Sequence, residues 1–182
     1  MHVRLVLACL GLLLAGRLCA APAALTAVEA FDTGRYAGKW YEIARYPNRF
    51  QSACLRDVTA EYRPLDNGKI EVVNRCERDN GNIEQVVGLA RPAGAPGKFE
   101  VRFAPSWLSW LPWVWSPYWV VQLGPDYRYA VVSEPGRKYL WVLSRSPWLS
   151  PNDQRAIYTA LGEQGFDIAS LRRTEQAGAS QP

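Results

Sequence analysis

The sequence predicts a mainly β protein: eight short antiparallel strands connected up and down into a closed barrel, followed by one α-helix. Three observations carry this. Segment after segment alternates apolar and polar residues with the period of two that a half-buried strand requires. Turn signals such as Asp66-Asn67-Gly68 and Glu134-Pro135-Gly136 separate those segments, and none leaves room for the long crossover that parallel pairing needs. Only one stretch, near the end, changes to helical spacing. Eight such strands close into a barrel just wide enough to hold one small ligand.

Residues 1–21 read as a secretory signal. Arg4 gives a positive start, 5–16 is apolar, and small residues run to Ala24. The apolar run, about 12 residues, is too short for a bilayer core that needs about 20. Cys19 is not expected to carry a lipid anchor, because Arg17 and Leu18 precede it where such a signal wants small side chains. The expectation is an exported protein with a barrel domain over 31–175 and a disordered tail over 176–182. Losing Arg4 and Arg17 with the leader takes the net charge from +4 to about +2. The remaining charges are scattered, which excludes a nucleic-acid surface. The one histidine, His2, leaves with the leader. The mature chain therefore has no imidazole for a catalytic triad or a metal, and neither a metal nor a cofactor is expected. Cys54 and Cys76 remain, and a pair of cysteines in an exported chain reads as one disulfide.

The first strand spans 38–46, with Trp40, Glu42, Ala44 and Tyr46 on one parity. Val58, Ala60 and Tyr62 share a face in the second. Asn67-Gly68 then reads as a two-residue turn into Ile70, Val72, Asn74 and Cys76. In that register Cys54 is not opposite Cys76, so a bend or bulge near Cys54 is expected. The fourth strand covers 83–91, where Gly88 and Ala90 are small enough to face a tapering interior. Phe99, Val101 and Phe103 face inward in the fifth, with Glu100 and Arg102 outward. Three more strands follow at 118–123, 127–133 and 138–145; in the last, Tyr139, Trp141, Leu143 and Arg145 share a face. Ala156, Ile157, Ala160 and Leu161 recur at helical spacing behind Ser150-Pro151. A short strand is expected within 167–175.

Three blocks together resemble the lipocalin family, in the branch that holds bacterial outer-envelope lipocalins and apolipoprotein D. They are Gly38-Lys39-Trp40-Tyr41-Glu42-Ile43-Ala44-Arg45 with Asn48-Arg49-Phe50-Gln51, Asp126-Tyr127-Arg128-Tyr129-Ala130-Val131-Val132, and Tyr139-Leu140-Trp141-Val142-Leu143-Ser144-Arg145-Ser146-Pro147. The resemblance implies a barrel with Trp40 plugging the closed end and Arg145 packed across it. It also implies a hydrophobic ligand such as a fatty acid or lysophospholipid, held for transport, storage or envelope maintenance in the periplasm or at the outer-membrane periphery. The inward aromatic parity agrees, and Tyr62, Phe99, Phe103, Tyr118 and Trp141 are the candidate ligand wall, with Tyr118 and Trp141 expected in the upper half. A lipid-modifying enzyme using Glu42, Glu84 or a tyrosine is the alternative, as is a barrel with a filled core that binds nothing.

If the first strand rises toward the mouth, the connections at 47–54, 79–82, 104–117 and 134–137 lie there, and those at 66–68, 92–97 and 124–126 lie at the base. The 104–117 connection is uncharged and holds Trp107, Trp110, Trp113 and Trp115, four of the chain's eight tryptophans. It reads either as a lid buried over the mouth or as a loop that meets a membrane or admits ligand, since exposed indoles favour the bilayer interface.

Overall fold

A computed structural model describes residues 23–177, so the expected leader and residues 178–182 lie outside the described residues. One helical turn, α1 (Thr33–Tyr36), precedes β1 (Gly38–Arg45), β2 (Arg56–Pro64), β3 (Ile70–Glu77) and β4 (Ile83–Pro92). Then come β5 (Lys98–Arg102), β6 (Ser116–Leu123), β7 (Tyr129–Ser133), β8 (Leu140–Ser144), helix α2 (Pro151–Glu163) and a two-residue β9 (Arg172–Arg173). Each of β1 to β7 pairs antiparallel with the next, and β8 pairs back onto β1, which closes the barrel. The apolar residues form two cores. One fills the lower barrel around Trp40, Tyr62, Val72 and Phe99. The other packs Ile157 and Leu161 of α2 against the outer side of Val131, Leu140 and Val142.

The β2–β3 hairpin differs from the expected two-residue turn. Leu65 N–H bonds to Lys69 O and Gly68 N–H to Leu65 O, leaving a three-residue loop with Gly68 at φ +75°. This is a type I turn closed by one left-handed residue, which glycine supplies at no steric cost. Arg78 to Asn82 repeats the arrangement with Gly81 at φ +76°. The shifted register sets Tyr62 opposite Val72 and Ala60 opposite Asn74. The expected irregularity near Cys54 is present: pairing slips between Arg56 and Thr59, and Asp57 takes φ +54°. Cys54 thereby reaches Cys76 and forms the disulfide, with Cα atoms 5.5 Å apart.

A second bulge changes the reading of β1. Glu42 sits opposite Leu143, but Ala44 sits opposite Val142, so Ile43 is an extra residue. Beyond it the parity flips. Ala44 joins the outer core, Tyr46 donates to Asp167 O at 3.0 Å, and Arg45 turns inward beside Trp141. Period-two alternation across 38–46 predicts Ala44 and Tyr46 on the face of Trp40, and the bulge moves both to the other side.

Only the lower half of β1, residues 38–41, pairs with β2. The upper half of that seam is filled by the chain end. Arg173 and Arg172 pair with Ala44 and Arg45, Thr174 N–H bonds to Ile43 O, and Asp57 N–H bonds to Glu175 O. Gln176 Nε2 then donates to Glu42 O on one strand and Val58 O on the other, each at 2.8 Å. The expected tail therefore does not start at 176. Gln176 and Ala177 are hydrogen-bonded parts of the barrel, because the unpaired backbone between β1 and β2 needs partners.

Helix α2 is tied to the β7 approach by charge. Ser150 caps it by accepting from Asp153 N–H at 3.1 Å, and Asp153 takes a two-pronged contact from Arg128 with Nε at 2.9 Å and Nη2 at 2.5 Å. The Arg128 bond, opposed by burial and helped by Ser150, holds the Asp153 carboxyl below its usual range. A carboxyl depressed in the folded state contributes stability above its unfolded value of about 3.9 and loses it as pH falls through the folded value. Asp153→Asn should cost about 1 kcal/mol at pH 7, a value kept small because Arg128 is half exposed. Urea melts should show that gap at pH 7 and its disappearance near pH 2; a gap unchanged by pH would mean the ion pair contributes nothing.

Candidate functional site

The base is sealed by stacking. Gly38 takes φ +91°, which a side chain would strain, and carries the chain from α1 into β1. Trp40 is fully buried, its Nε1 donating to Tyr36 O at 2.8 Å. The Arg145 guanidinium lies 3.8 Å from the Trp40 ring centroid on one side, and the Tyr36 ring lies 4.9 Å away on another. Arg145 also donates to Lys39 O at 2.9 Å and Arg35 O at 2.6 Å, so it ties α1 to the start of β1. Such a cation over a desolvated indole gains about 2 kcal/mol.

Above Trp40 lies a floor of three tyrosines. Tyr118 Oη is 2.8 Å from Tyr36 Oη and 2.7 Å from Tyr62 Oη. Tyr36 and Tyr62 are buried and Tyr118 is partly buried. Burial pushes the Tyr62 phenol up to about 12 and raises Tyr36 and Tyr118 well above the ordinary value, reinforced in those two by the neighbouring phenols. All three are therefore neutral hydrogen-bonding groups at any physiological pH. Two wall assignments shift here. Phe99 packs against Phe31 of the N-terminal segment, centroids 5.1 Å apart, and belongs to the base. Tyr118 stands opposite Phe99, with its hydroxyl on the base tyrosines, so it sits lower than the upper half expected for it.

Higher on the wall, Gly88 leaves room for a neighbouring ring. A Cβ there would lie 2.6 Å from the Phe103 ring, so the phenyl of Phe103 occupies that space. Val86 shares the face of Asn74, its partner across β3–β4, and both Val86 and Phe103 are 45% exposed despite inward parity. Both lie where β4 runs on beyond its pairing with β5, and Val87 of the opposite parity is 50% exposed there, so this edge of the wall meets solvent near the mouth. Trp141 closes the opposite side, with Nε1 donating to Gln51 Oε1 at 2.8 Å and its ring stacked on Tyr139 at 5.9 Å. Phe50 extends that aromatic row to the rim.

Beside Trp141 is a polar cluster. Glu42, buried, accepts from Arg45 Nη1 at 2.6 Å, Gln51 Nε2 at 2.6 Å and Thr174 Oγ1 at 2.5 Å. Both its oxygens are engaged, which makes it a brace between β1, the 49–51 turn and the chain end. Glu84 lies half exposed 3.4 Å from Arg78 at the mouth, away from Glu42's cluster. Arg45, Gln51, Thr174 and Val86 escaped the sequence reading. The Ile43 bulge turns Arg45 inward, and Thr174 arrives from the far end of the chain; no local period signals either.

The tryptophans of 104–117 do not act alike. Trp115 turns back onto the outer wall, where Arg91 lies 4.1 Å and Arg102 5.3 Å from its ring, and its Nε1 donates to Ser109 O at 2.9 Å. Arg102 has the outward parity expected of it but is buried beneath that indole. Trp107, Trp110 and Trp113 point away, at 72%, 76% and 76% exposed. Two short 3-10 turns, Ser106–Leu108 and Pro112–Val114, carry Trp107 and Trp113, with Trp110 between them. Phe50, Leu55 and Ile83 are also exposed at this end of the barrel.

A closed barrel with a stacked plug at one end and exposed apolar side chains at the other is the architecture of a small-hydrophobic-ligand-binding β-barrel. The chain belongs to the lipocalin family, with residues 31–176 matching the lipocalin-like domain. It is 35% identical over 159 residues to the outer membrane lipoprotein Blc of Escherichia coli (strain K12), covering 87% of this chain and 86% of Blc. It is 35% identical over 153 residues to temperature-induced lipocalin-1 of Arabidopsis thaliana, 82% of each chain. Identity to apolipoprotein D of Mus musculus is 33% over 160 residues, 82% of this chain and 79% of the other. Among solved structures, insecticyanin from the tobacco hornworm Manduca sexta shares the fold with a TM-score of 0.68 at 22% identity, over 87% of this chain and 88% of that one.

Proposed function

We propose that this lipocalin is an exported carrier that encloses a single-chain lipid, a fatty acid or lysophospholipid, and exchanges it at a membrane surface. The observation that carries the reading is the closed lipocalin barrel, plugged at its base by Trp40 and Arg145 and with apolar wall residues Val86 and Phe103 exposed toward the other end. The names of two relatives, an outer membrane lipoprotein and an apolipoprotein, support a lipid-facing role at the periplasm or outer-membrane periphery. With both Glu42 oxygens held in hydrogen bonds, binding is favoured over turnover. Displacement of a fluorescent polyene fatty acid by unlabelled lipid tests the carrier role. Saturable, one-to-one displacement is expected, and no binding by the folded protein would refute it.

The exposure of Trp107, Trp110 and Trp113 favours membrane contact over a buried lid. A Trp buries up to about 250 Å², and at about 25 cal/mol per Å² partial burial of two in lipid is worth a few kcal/mol. Trp110→Ser with Trp113→Ser should therefore weaken flotation with lipid vesicles strongly while leaving the melting temperature near wild type. A lowered melting temperature with no vesicle binding by wild type would show a folded lid instead.

A further inference from the structure

The exposed apolar side chains are unevenly placed. Among the described residues, Leu65 alone of the large exposed ones lies at the base; the others stand in upper β4 or in connections at the mouth. Those connections join β1 to β2, β3 to β4, β5 to β6 and β7 to β8, so the first and third face each other across the barrel. The third carries Trp107, Trp110 and Trp113. The first carries Phe50 and Leu55, 62% and 56% exposed, and Ile83, 63% exposed, stands where the second enters β4. The fourth has no exposed large apolar side chain and turns through Glu134, Arg137 and Lys138. Charge does not favour one sign here. Residues 47–57, 77–84, 103–115 and 134–138 hold five basic and five acidic side chains. Arg56 bridges to Glu77 at 2.6 Å and Arg78 to Glu84 at 3.4 Å, while Glu134 accepts from Gly136 N–H at 2.6 Å. The upper edge of β4 sets a further limit. Ala93 N–H bonds to Lys98 O, and Arg91 and Leu89 lie opposite Glu100 and Arg102, so odd-numbered residues turn their backbone groups toward β5. Above Leu89 that pairing has ended, and the N–H and C=O of Ile83, Gln85 and Val87 meet no partner among the described residues.

We infer that the mouth end as a whole docks on a neutral phospholipid bilayer, held by three of its four connections with the mouth against the membrane. This rests on the membrane-exchange reading and extends it beyond the tryptophan loop, since Phe50, Leu55 and Ile83 meet the bilayer from other sides of the mouth. Indoles settle at the headgroup level, and the aliphatic side chains gain by leaving water. The balanced, mutually paired charges give an anionic surface no basic cluster to attract, so a zwitterionic surface is the partner that fits. Docking stays shallow, because the unpaired β4 backbone has nothing to replace its water inside hydrocarbon. The charged fourth turn stays among the headgroups. A lipid then passes between bilayer and mouth without crossing bulk water.

Flotation with phosphatidylcholine vesicles tests this face. Wild type should float, and raising salt to about 0.5 M or replacing about a third of the lipid by phosphatidylglycerol should change binding by less than about twofold. Leu55→Ser with Ile83→Ser, which leaves every tryptophan in place, should weaken flotation about tenfold, and Leu55→Trp should strengthen it. Melts of these variants should stay near wild type, since both side chains are mostly exposed, and binding of the fluorescent fatty acid should not change. Bromine on the lipid chain near the headgroup should quench tryptophan fluorescence more than bromine near the methyl end. Equal flotation of wild type and the Leu55→Ser, Ile83→Ser protein, binding that requires anionic lipid, or stronger quenching by the deep bromine would overturn the inference and leave the tryptophan-loop contact standing. A wild-type dimer in sedimentation that the double variant splits, with flotation unchanged, would make the face a contact between copies and likewise overturn it. No flotation by wild type would refute the membrane reading itself.

Discussion

Trp40→Ala should lower the free energy of unfolding by about 3–5 kcal/mol, the loss expected for emptying a fully buried indole site. Three consequences add in one place: the cavity, the orphaned Tyr36 carbonyl, and the loss of the surface on which Arg145 stacks. Arg145→Ala should cost less, about 1–2 kcal/mol, because α1 and β1 keep their own backbone bonds when the guanidinium is gone. The double variant should fall short of the sum of the singles, since the two side chains share one contact. Guanidinium melts of the three proteins decide this. Wild-type midpoints for both single variants would show that the base is held by something other than this stack.

The second large effect concerns Cys54 and Cys76. The bond ties the turn that precedes β2 to the mouth end of β3 and closes a loop of about 23 residues. In the chain-entropy picture such a loop is worth about 3 kcal/mol. Cys54→Ser with Cys76→Ser should shift the melt by that amount and leave palmitate binding by the folded protein in place. Alkylation of the unreduced, unfolded wild type should find neither thiol free. Two free thiols would refute the link.

Much of the barrel could be read from local alternation, because each strand's apolar face is set by its own neighbours two residues away. The plug was readable for a different reason: Gly38-Lys39-Trp40 and Arg145 sit in blocks whose spacing the family shares. What escaped reading depends on long-range geometry. The Ile43 bulge exists because β1 must serve β2 below and the chain end above, and nothing within 38–46 announces it. Phe99 shows the inward parity expected, but its height in the barrel follows from Phe31, an N-terminal residue that packs across the base. The tryptophan loop was recognisable as unusual, yet only the position of Arg91 and Arg102 shows why Trp115 folds back and the other three do not.

The double grip of Gln176 on Glu42 and Val58 has a bearing on how the protein is made. The strands that flank this seam are synthesised first, while the residues that fill it follow all eight barrel strands in the chain. An emerging chain can form the β2–β3 and β3–β4 hairpins, but β1 lacks its β8 partner for about a hundred residues more. Contacts so distant in sequence are entropically costly and slow to form. The barrel thus stays open along one side until β8 and the 172–176 segment have been made. A chain that is to cross a membrane unfolded benefits from that delay, since nothing stable has to be pulled apart before passage.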